Sequence, residues 1–167
     1  MSASIYGKVY VDRANYADGH EVRYRFRICN LSEMPLNFSQ NYKTECPMLL
    51  TEWIFGMMFV KSLDTGMVSC SVTLKRNDLM KSPVNASICA KFSCIKYGTL
   101  YYTKTFERNE MLPSDEMREL IPEIVQFSTM ESSMDVDVIL YIQKCHSDDY
   151  MYAARRVNFD KLLLSKM

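Results

Sequence analysis

The sequence lacks most of the features that mark enzymes, membrane proteins and secreted domains. Only five of its 167 residues are glycine, and no glycine-rich phosphate loop, GxSxG motif or HExxH motif is present. No apolar run approaches the roughly 20 residues that a membrane helix requires. The N-terminus has no basic start followed by an apolar segment, so no signal peptide is expected. We therefore predict a protein that is not an enzyme, has no membrane partner, and is located inside the cell, in the cytoplasm or nucleus.

The chain also has no excess of positive or negative charge. Twenty basic residues balance 20 acidic ones, and the chain is 24% charged and 48% hydrophobic, which is typical of an ordinary globular protein. Because no net positive charge attracts phosphates, we expect no nucleic-acid partner. A chain of this length can bury roughly two thirds of the surface that it exposes when unfolded, so it needs no disulfide or metal to fold.

Six cysteines and two histidines are present, but without the spacing of a disulfide framework or a zinc site. No CxxC pair occurs. Cys89 and Cys94 are five residues apart, so on a strand they point to opposite faces, and the adjacent Cys145 and His146 are expected to diverge as well. His20 falls in a predicted loop with no nucleophile beside it. We therefore predict reduced thiols, no cofactor and no metal ion.

Alternation of apolar and polar residues dominates the chain and predicts β-strands. The clearest case is residues 68–95, where two alternating segments separated by a polar turn are typical of an antiparallel pair with one face on the core. The nearly all-apolar residues 53–60 predict a core strand. Residues 30–46 predict a long loop or an irregular edge. Further strands are predicted at 5–11, 22–28, 100–106 and 136–142.

One short helix is predicted over residues 113–122. Ser114 can cap it, Asp115 and Glu116 suit the positive end of its dipole, and Pro122 would stop it. Residues 148–167 are predicted to form a linker and a short helical tail after a single domain that spans residues 1–147. The predicted fold class is thus all-β, an antiparallel β-sandwich with one short helix.

Four apolar residues on separate predicted strands test this fold. Phe26, Trp53, Val72 and Phe92 all lie on the apolar phase of their strands. We predict that they share one core between two antiparallel sheets.

Several segments together resemble a known family. They are Tyr24-x-Phe26-x-Ile28-x-Asn30-Leu31-Ser32, Trp53 at the head of a strand, residues 68–74, and Ala90-Lys91-Phe92-Ser93. Over about residues 20–145 their order and spacing resemble the MATH (meprin and TRAF homology) domain, especially the type in MATH-BTB ubiquitin-ligase adaptors. The resemblance implies a TRAF-like sandwich that binds a peptide or protein partner, as when such domains select substrates for ubiquitin ligation.

The resemblance also implies a groove lined by aromatic residues. Ser71 and Ala90 stand at two of those aromatic positions, and the Trp-Gly-Phe element of the adaptors is missing near Met117, so the usual serine-rich degron is not the expected ligand. We predict that neighbouring aromatic residues supply the anchors instead. The predicted partner-binding residues are Ser71, Ala90, Tyr101, Tyr102, Phe106 and Met117.

Two other interpretations stay open. Arg23, Arg25 and Arg27 share one face of a strand and could bind an acidic partner, although a solvated outer face explains such a stripe more simply. Alternatively, the protein could have a structural or assembly role, and oligomerise through its sheet edges or through the tail at residues 155–164.

Overall fold

A computed structural model describes residues 4–94, 99–126 and 133–146, and nine strands occur in these ranges. The strands are β1 (Ser4–Asn15), β2 (Gly19–Cys29), β3 (Leu36–Lys43), β4 (Glu52–Lys61), β5 (Met67–Arg76), β6 (Val84–Cys94), β7 (Thr99–Met111), β8 (Glu116–Gln126) and β9 (Ser133–Gln143). One turn of 3-10 helix spans Leu31–Glu33. No helix that could cross a membrane occurs in these ranges. The predicted tail at 148–167 lies outside the described residues.

The strands form two antiparallel sheets, which confirms the predicted all-β sandwich. The five-stranded sheet has the order β1-β2-β9-β6-β7, and the four-stranded sheet has the order β3-β4-β5-β8. β9 lies between β2 and β6 and pairs with both along nearly its whole length. Phe26, Trp53, Val72 and Phe92 are all buried in one core, as predicted.

The prediction that the two strands within residues 68–95 pair with each other is wrong. β5 belongs to the four-stranded sheet and β6 to the five-stranded sheet, so the connection between them crosses from one sheet to the other. Their apolar faces meet across the core instead of lying side by side. Alternation reports which face of a strand is buried, and it does not report which neighbour pairs with that strand.

The helix predicted over residues 113–122 is also wrong, because β8 occupies most of this segment. Met117, Ile121 and Ile124 are buried, a spacing that imitates one face of a helix. In the structure the spacing arises from a β-bulge, since Cys70 pairs with Ile121 whereas Val68 pairs with Val125. Pro122 lies within that irregularity, where a missing N–H is tolerated.

Two strands of the four-stranded sheet refine the predictions. The segment expected to be a long loop or an irregular edge contains β3, an edge strand, in which Phe38 and Tyr42 face the core and the residues between them are polar. β4 contributes to the core, as predicted, but through one face only. Trp53, Phe55, Met57 and Phe59 are buried, whereas Ile54, Met58 and Val60 are exposed.

Candidate functional site

The structure places most of the predicted partner-binding residues in the core. Ala90, Phe106 and Met117 are buried, and Tyr102 is partly buried against the core cluster. Buried side chains offer no surface to a partner, so the aromatic anchor predicted around Phe106 is not available in this fold. The side chain of Tyr101 lies outside the described residues.

Ser71 is the exception, because it lies on the outer face of the four-stranded sheet. It pairs with Met58 on β4 and with Leu120 on β8, so these two exposed apolar side chains flank it in one row across the sheet. The exposed large apolar residues of this face are Ile54, Met58, Val60 and Leu120. We call these four residues and Ser71 the apolar face.

The centre of the apolar face is a shallow depression, because the residues there are small. Gly56 pairs with Thr73, and a Cβ at Gly56 would come within 2.8 Å of the Thr73 hydroxyl oxygen. Small residues thus form a floor between the larger side chains of the flanking positions. Such a surface offers apolar contacts at its borders and hydroxyl groups along its floor.

The arginine stripe, which consists of Arg23, Arg25 and Arg27, lies on the outer face of the five-stranded sheet, on the other side of the sandwich from the apolar face. Each of its charges is paired. The pairs are Arg23 with Asp137, Arg25 with Asp12, and Arg27 with Asp135. In the first pair the Arg23 Nε–Asp137 Oδ1 distance is 2.7 Å. Because each guanidinium already faces a carboxylate, the stripe presents little net charge to an acidic ligand, which supports the solvated-face interpretation.

The strongest cluster of reactive groups is one that the sequence did not predict. His20, Cys46, Cys145 and His146 bring one potential ligand atom each to within 4.8 Å of one another. His20 begins β2, Cys46 lies between β3 and β4, and the last two residues follow β9. The expectation that Cys145 and His146 would diverge is therefore wrong.

Local structure explains why the two adjacent residues converge. Lys144 adopts a left-handed conformation with φ of 61°, and its N–H donates to the Asp18 carbonyl oxygen at 3.3 Å. The chain therefore bends sharply after β9 and leaves the regular alternation of a strand. This bend directs both Cys145 and His146 towards the beginning of β2.

A hydrogen-bonded loop holds Cys46. The Thr44 and Thr51 hydroxyl oxygens lie 2.9 Å apart, and the Thr51 N–H donates to the Thr44 hydroxyl at 3.0 Å. The indole N–H of Trp53 donates to the Thr51 hydroxyl at 2.8 Å. Since Trp53 is buried in the core, the loop that carries Cys46 is fixed to the four-stranded sheet.

The thiols and one imidazole make close polar contacts. The Sγ atoms of Cys46 and Cys145 each lie 3.3 Å from His146 Nδ1. The His20 and His146 rings meet edge to face, with centroids 5.1 Å apart. Burial, and next the neighbouring Cys46, raise the pKa of the Cys145 thiol to about 12. Burial, and next the charge of His146, lower the pKa of His20, which keeps its imidazole neutral at pH 7.

Hydrogen bonds on the outer side of the cluster set the tautomers of both histidines. His20 Nδ1 lies 2.7 Å from the Asn15 side-chain oxygen, and His146 Nε2 lies 3.2 Å from the Tyr16 carbonyl oxygen. These oxygens can only accept, so each of the two nitrogens carries the proton. The other nitrogens face the cluster, where the two thiols contact His146 Nδ1 and no described residue bonds to His20 Nε2.

Sequence spacing could not reveal this cluster, because its members are separated by up to 126 residues, from His20 to His146. The one available signal was that the adjacent pair Cys145 and His146 follows the end of a strong strand pattern. In comparisons with known proteins, the chain matches no family model, and no curated protein matches it.

Proposed function

We propose that the protein is a non-catalytic interaction module that binds an extended segment of a partner protein on the apolar face. The exposed apolar row across β4 and β8 is the observation that carries this proposal. Four large apolar side chains on one sheet face are unusual enough to mark an interaction surface, whereas single exposed apolar residues are common.

The size of the face favours a peptide-like segment over a second copy of the chain. The four side chains expose on the order of a few hundred Å² together, as functional patches on monomers do. A standard interface between two folded proteins buries about 800 Å² on each side. An extended segment could lie across this face and place alternate side chains between Met58 and Leu120, over Gly56 and Thr73.

The resemblance to MATH domains supports the same class of function. A TRAF-like sandwich that selects substrates for ubiquitin ligation would bind segments of this kind, and we include that adaptor role in the proposal. The ligand would differ from the serine-rich degron, because Ser71 provides no aromatic anchor and Met58 and Leu120 border it instead.

The test compares two double variants of the full chain. Met58→Asp with Leu120→Asp places charge on the apolar face, and Tyr6→Asp with Val11→Asp places the same charge on exposed apolar positions of β1. Both variants should stay folded, as judged by circular dichroism. Partners captured from cells and identified by quantitative mass spectrometry should be lost only with the first variant, and the purified partner should protect the β4 and β8 amides from hydrogen exchange.

Retention of every partner by the Met58 and Leu120 variant would refute the assignment to this face. The mass of the purified protein in solution tests the alternative function, in which copies of this chain assemble with one another. If the wild type forms a concentration-dependent oligomer that the first variant abolishes, the face joins copies of this chain instead of binding a partner segment.

A further inference from the structure

We propose that His20, Cys46, Cys145 and His146 bind one zinc ion in a closed, structural site that joins the two sheets at one end of the sandwich. Three of the ligands come from the ends of β2 and β9 in the five-stranded sheet. Cys46 comes from the loop that is fixed to the four-stranded sheet. This inference is independent of the proposed partner-binding function.

The donor set fits zinc. Two thiolates and two imidazoles in tetrahedral geometry are typical of structural zinc sites. With Zn–S near 2.3 Å and Zn–N near 2.0 Å, a tetrahedral site separates sulfur and nitrogen ligands by about 3.5 Å. The observed separations of 3.3 Å from His146 Nδ1 to each sulfur are close to that value.

A second observation points to a ligand independently of the clustering. His20 is 4% exposed, and its Nε2 is a buried polar atom without a hydrogen-bond partner among the described residues. Buried polar atoms of this kind are rare and need an explanation. A metal ion that accepts the lone pair of His20 Nε2 would provide one.

The outer hydrogen bonds of both histidines follow the pattern found around bound metals. A metal-binding histidine usually donates its other ring N–H to a carbonyl or carboxyl oxygen, which fixes the ring and the tautomer. Here Asn15 accepts from His20 Nδ1 and the Tyr16 carbonyl accepts from His146 Nε2. Each histidine therefore directs an unprotonated ring nitrogen towards the two thiols of the cluster.

Binding requires no oxidant or reductant. Zn²⁺ would replace the proton on each of the two thiols, so two Zn–S bonds form and two protons pass to solvent, while both imidazoles bind in their neutral form. Four protein ligands fill a tetrahedral ion and leave no open position for a substrate. The site is thus structural, in agreement with a non-catalytic protein.

The first experiment measures metal binding by the full-length chain, purified and kept in reducing buffer. Elemental analysis should find one zinc per chain. Titration of the metal-free protein with Co²⁺ should give thiolate-to-cobalt charge-transfer absorption and the intense visible bands of tetrahedral cobalt, saturating at one equivalent. Cys46→Ser and Cys145→Ser should each weaken the charge-transfer band, whereas Cys89→Ser, which changes a half-buried cysteine outside the cluster, should leave it unchanged.

The second experiment keeps all four ligands and changes only the orienting residue Asn15, which is exposed. Asn15→Ala should weaken zinc affinity by about 10- to 100-fold, and Asn15→Asp, which keeps an acceptor oxygen, should retain it. Zinc should raise the melting temperature of the wild type, and the Asn15→Ala chain should need a correspondingly higher zinc concentration. A purely structural role of Asn15 would lower stability equally with and without zinc.

Three results would overturn the proposal. They are a folded, reduced protein that takes up no zinc or cobalt, a disulfide between Cys46 and Cys145 that persists in reducing buffer, and metal uptake that the Cys89→Ser change abolishes. If the cysteine variants fail to fold, the Asn15 pair still decides the question, because that side chain lies outside the core.

Discussion

Arg76 is a fully buried arginine at the end of β5, and its guanidinium donates all five of its N–H groups. Nε and Nη2 donate to the Asp78 carboxylate at 2.9 and 3.0 Å. The remaining N–H groups donate to the carbonyl oxygens of Met80, Ser82 and Met111, at distances between 2.6 and 2.7 Å. This single side chain therefore fixes the crossover from β5 to β6 and ties it to the end of β7.

We expect Arg76→Lys to destabilise the protein by about 3–5 kcal/mol, because an ammonium group cannot reproduce five bonds in one plane and leaves buried acceptors unpaired. Arg118→Lys, a change of the same chemistry at an exposed position, should cost less than about 0.5 kcal/mol. Denaturant unfolding of both variants measures the difference. Equal losses would contradict the role assigned to Arg76.

The environment of the Asp78 carboxylate makes the stability of the fold depend on pH. Burial acts to raise the pKa of Asp78, but hydrogen bonds from Arg76 and from the N–H groups of Glu52 and Met80 outweigh it, so the pKa is lowered on folding. A lowered folded pKa stabilises the fold above the unfolded value of about 3.9, and this contribution is lost as the pH falls through the folded pKa.

The comparison to make is between the wild type and Asp78→Asn. The variant should be less stable at pH 7, and the gap between the two unfolding free energies should narrow as the pH falls from about 5 to about 3. A gap that stays constant over this window would show that the ionised carboxylate contributes nothing.

Among the elements, β2 and β9 approach each other closely at Gly19. A Cβ at this position would lie 2.3 Å from the backbone oxygen of Ile142, which neither strand can relieve by rotating a side chain. Gly19→Ala should therefore push the two strands apart and cost about 1–3 kcal/mol. Gly56→Ala is the matched control, because its Cβ would meet mainly the Thr73 hydroxyl, which can rotate away. Thermal unfolding compares the two variants, and an equal loss would argue against the close approach.

The sequence predicts which segments form most of the strands, but it does not predict which strands pair with each other. Apolar and polar residues alternate along β2, β5, β6 and β9 because each of these strands has one buried face and one more exposed face. The pairing of β9 with β2 joins residues more than 100 positions apart, and its pairing with β6 joins residues more than 40 positions apart, which alternation does not encode. The helix predicted over residues 113–122 rested on end signals alone, a capping serine, acidic residues and a terminal proline, and the same residues also fit a turn followed by a strand with a bulge at Pro122.

The candidate sites show the same limit. Ser71 could be placed on an exposed face because its strand alternates cleanly. Phe106 and Met117 were assigned to a partner although they complete the core, since an apolar residue on a strand has the same appearance whether it faces a ligand or the other sheet. The four residues proposed to bind zinc share no local motif. They meet because the start of β2 lies beside the end of β9 and the connection between β3 and β4 brings Cys46 to the same place.

For the molecule as a whole, the two outer faces of the sandwich differ in chemistry. The five-stranded sheet presents arginine and aspartate side chains that neutralise each other, and the formal net charge of the chain is zero. The four-stranded sheet presents the apolar face. The recognition that we propose for the apolar face would depend on burial of apolar area, which salt does not screen.

We therefore expect partner affinity to change less than about threefold between roughly 0.1 M and 1 M NaCl. Calorimetric titration with the identified partner measures it, and changing Arg23, Arg25 and Arg27 together to Gln should leave both the affinity and its salt response nearly unaltered. A steep loss of affinity with salt, removed by the arginine changes, would move the binding surface to the five-stranded sheet.

The central position of β9 determines when this protein can fold during its synthesis. Strands β2 and β6 leave the ribosome long before β9, yet each lacks its inner partner until residue 143 has emerged. Two hairpins with open, apolar inner edges therefore coexist in the nascent chain, and such edges invite pairing with other chains. Completion of the five-stranded sheet is thus a late event in synthesis, and until then the inner edges of β2 and β6 stay open to pairing with other strands.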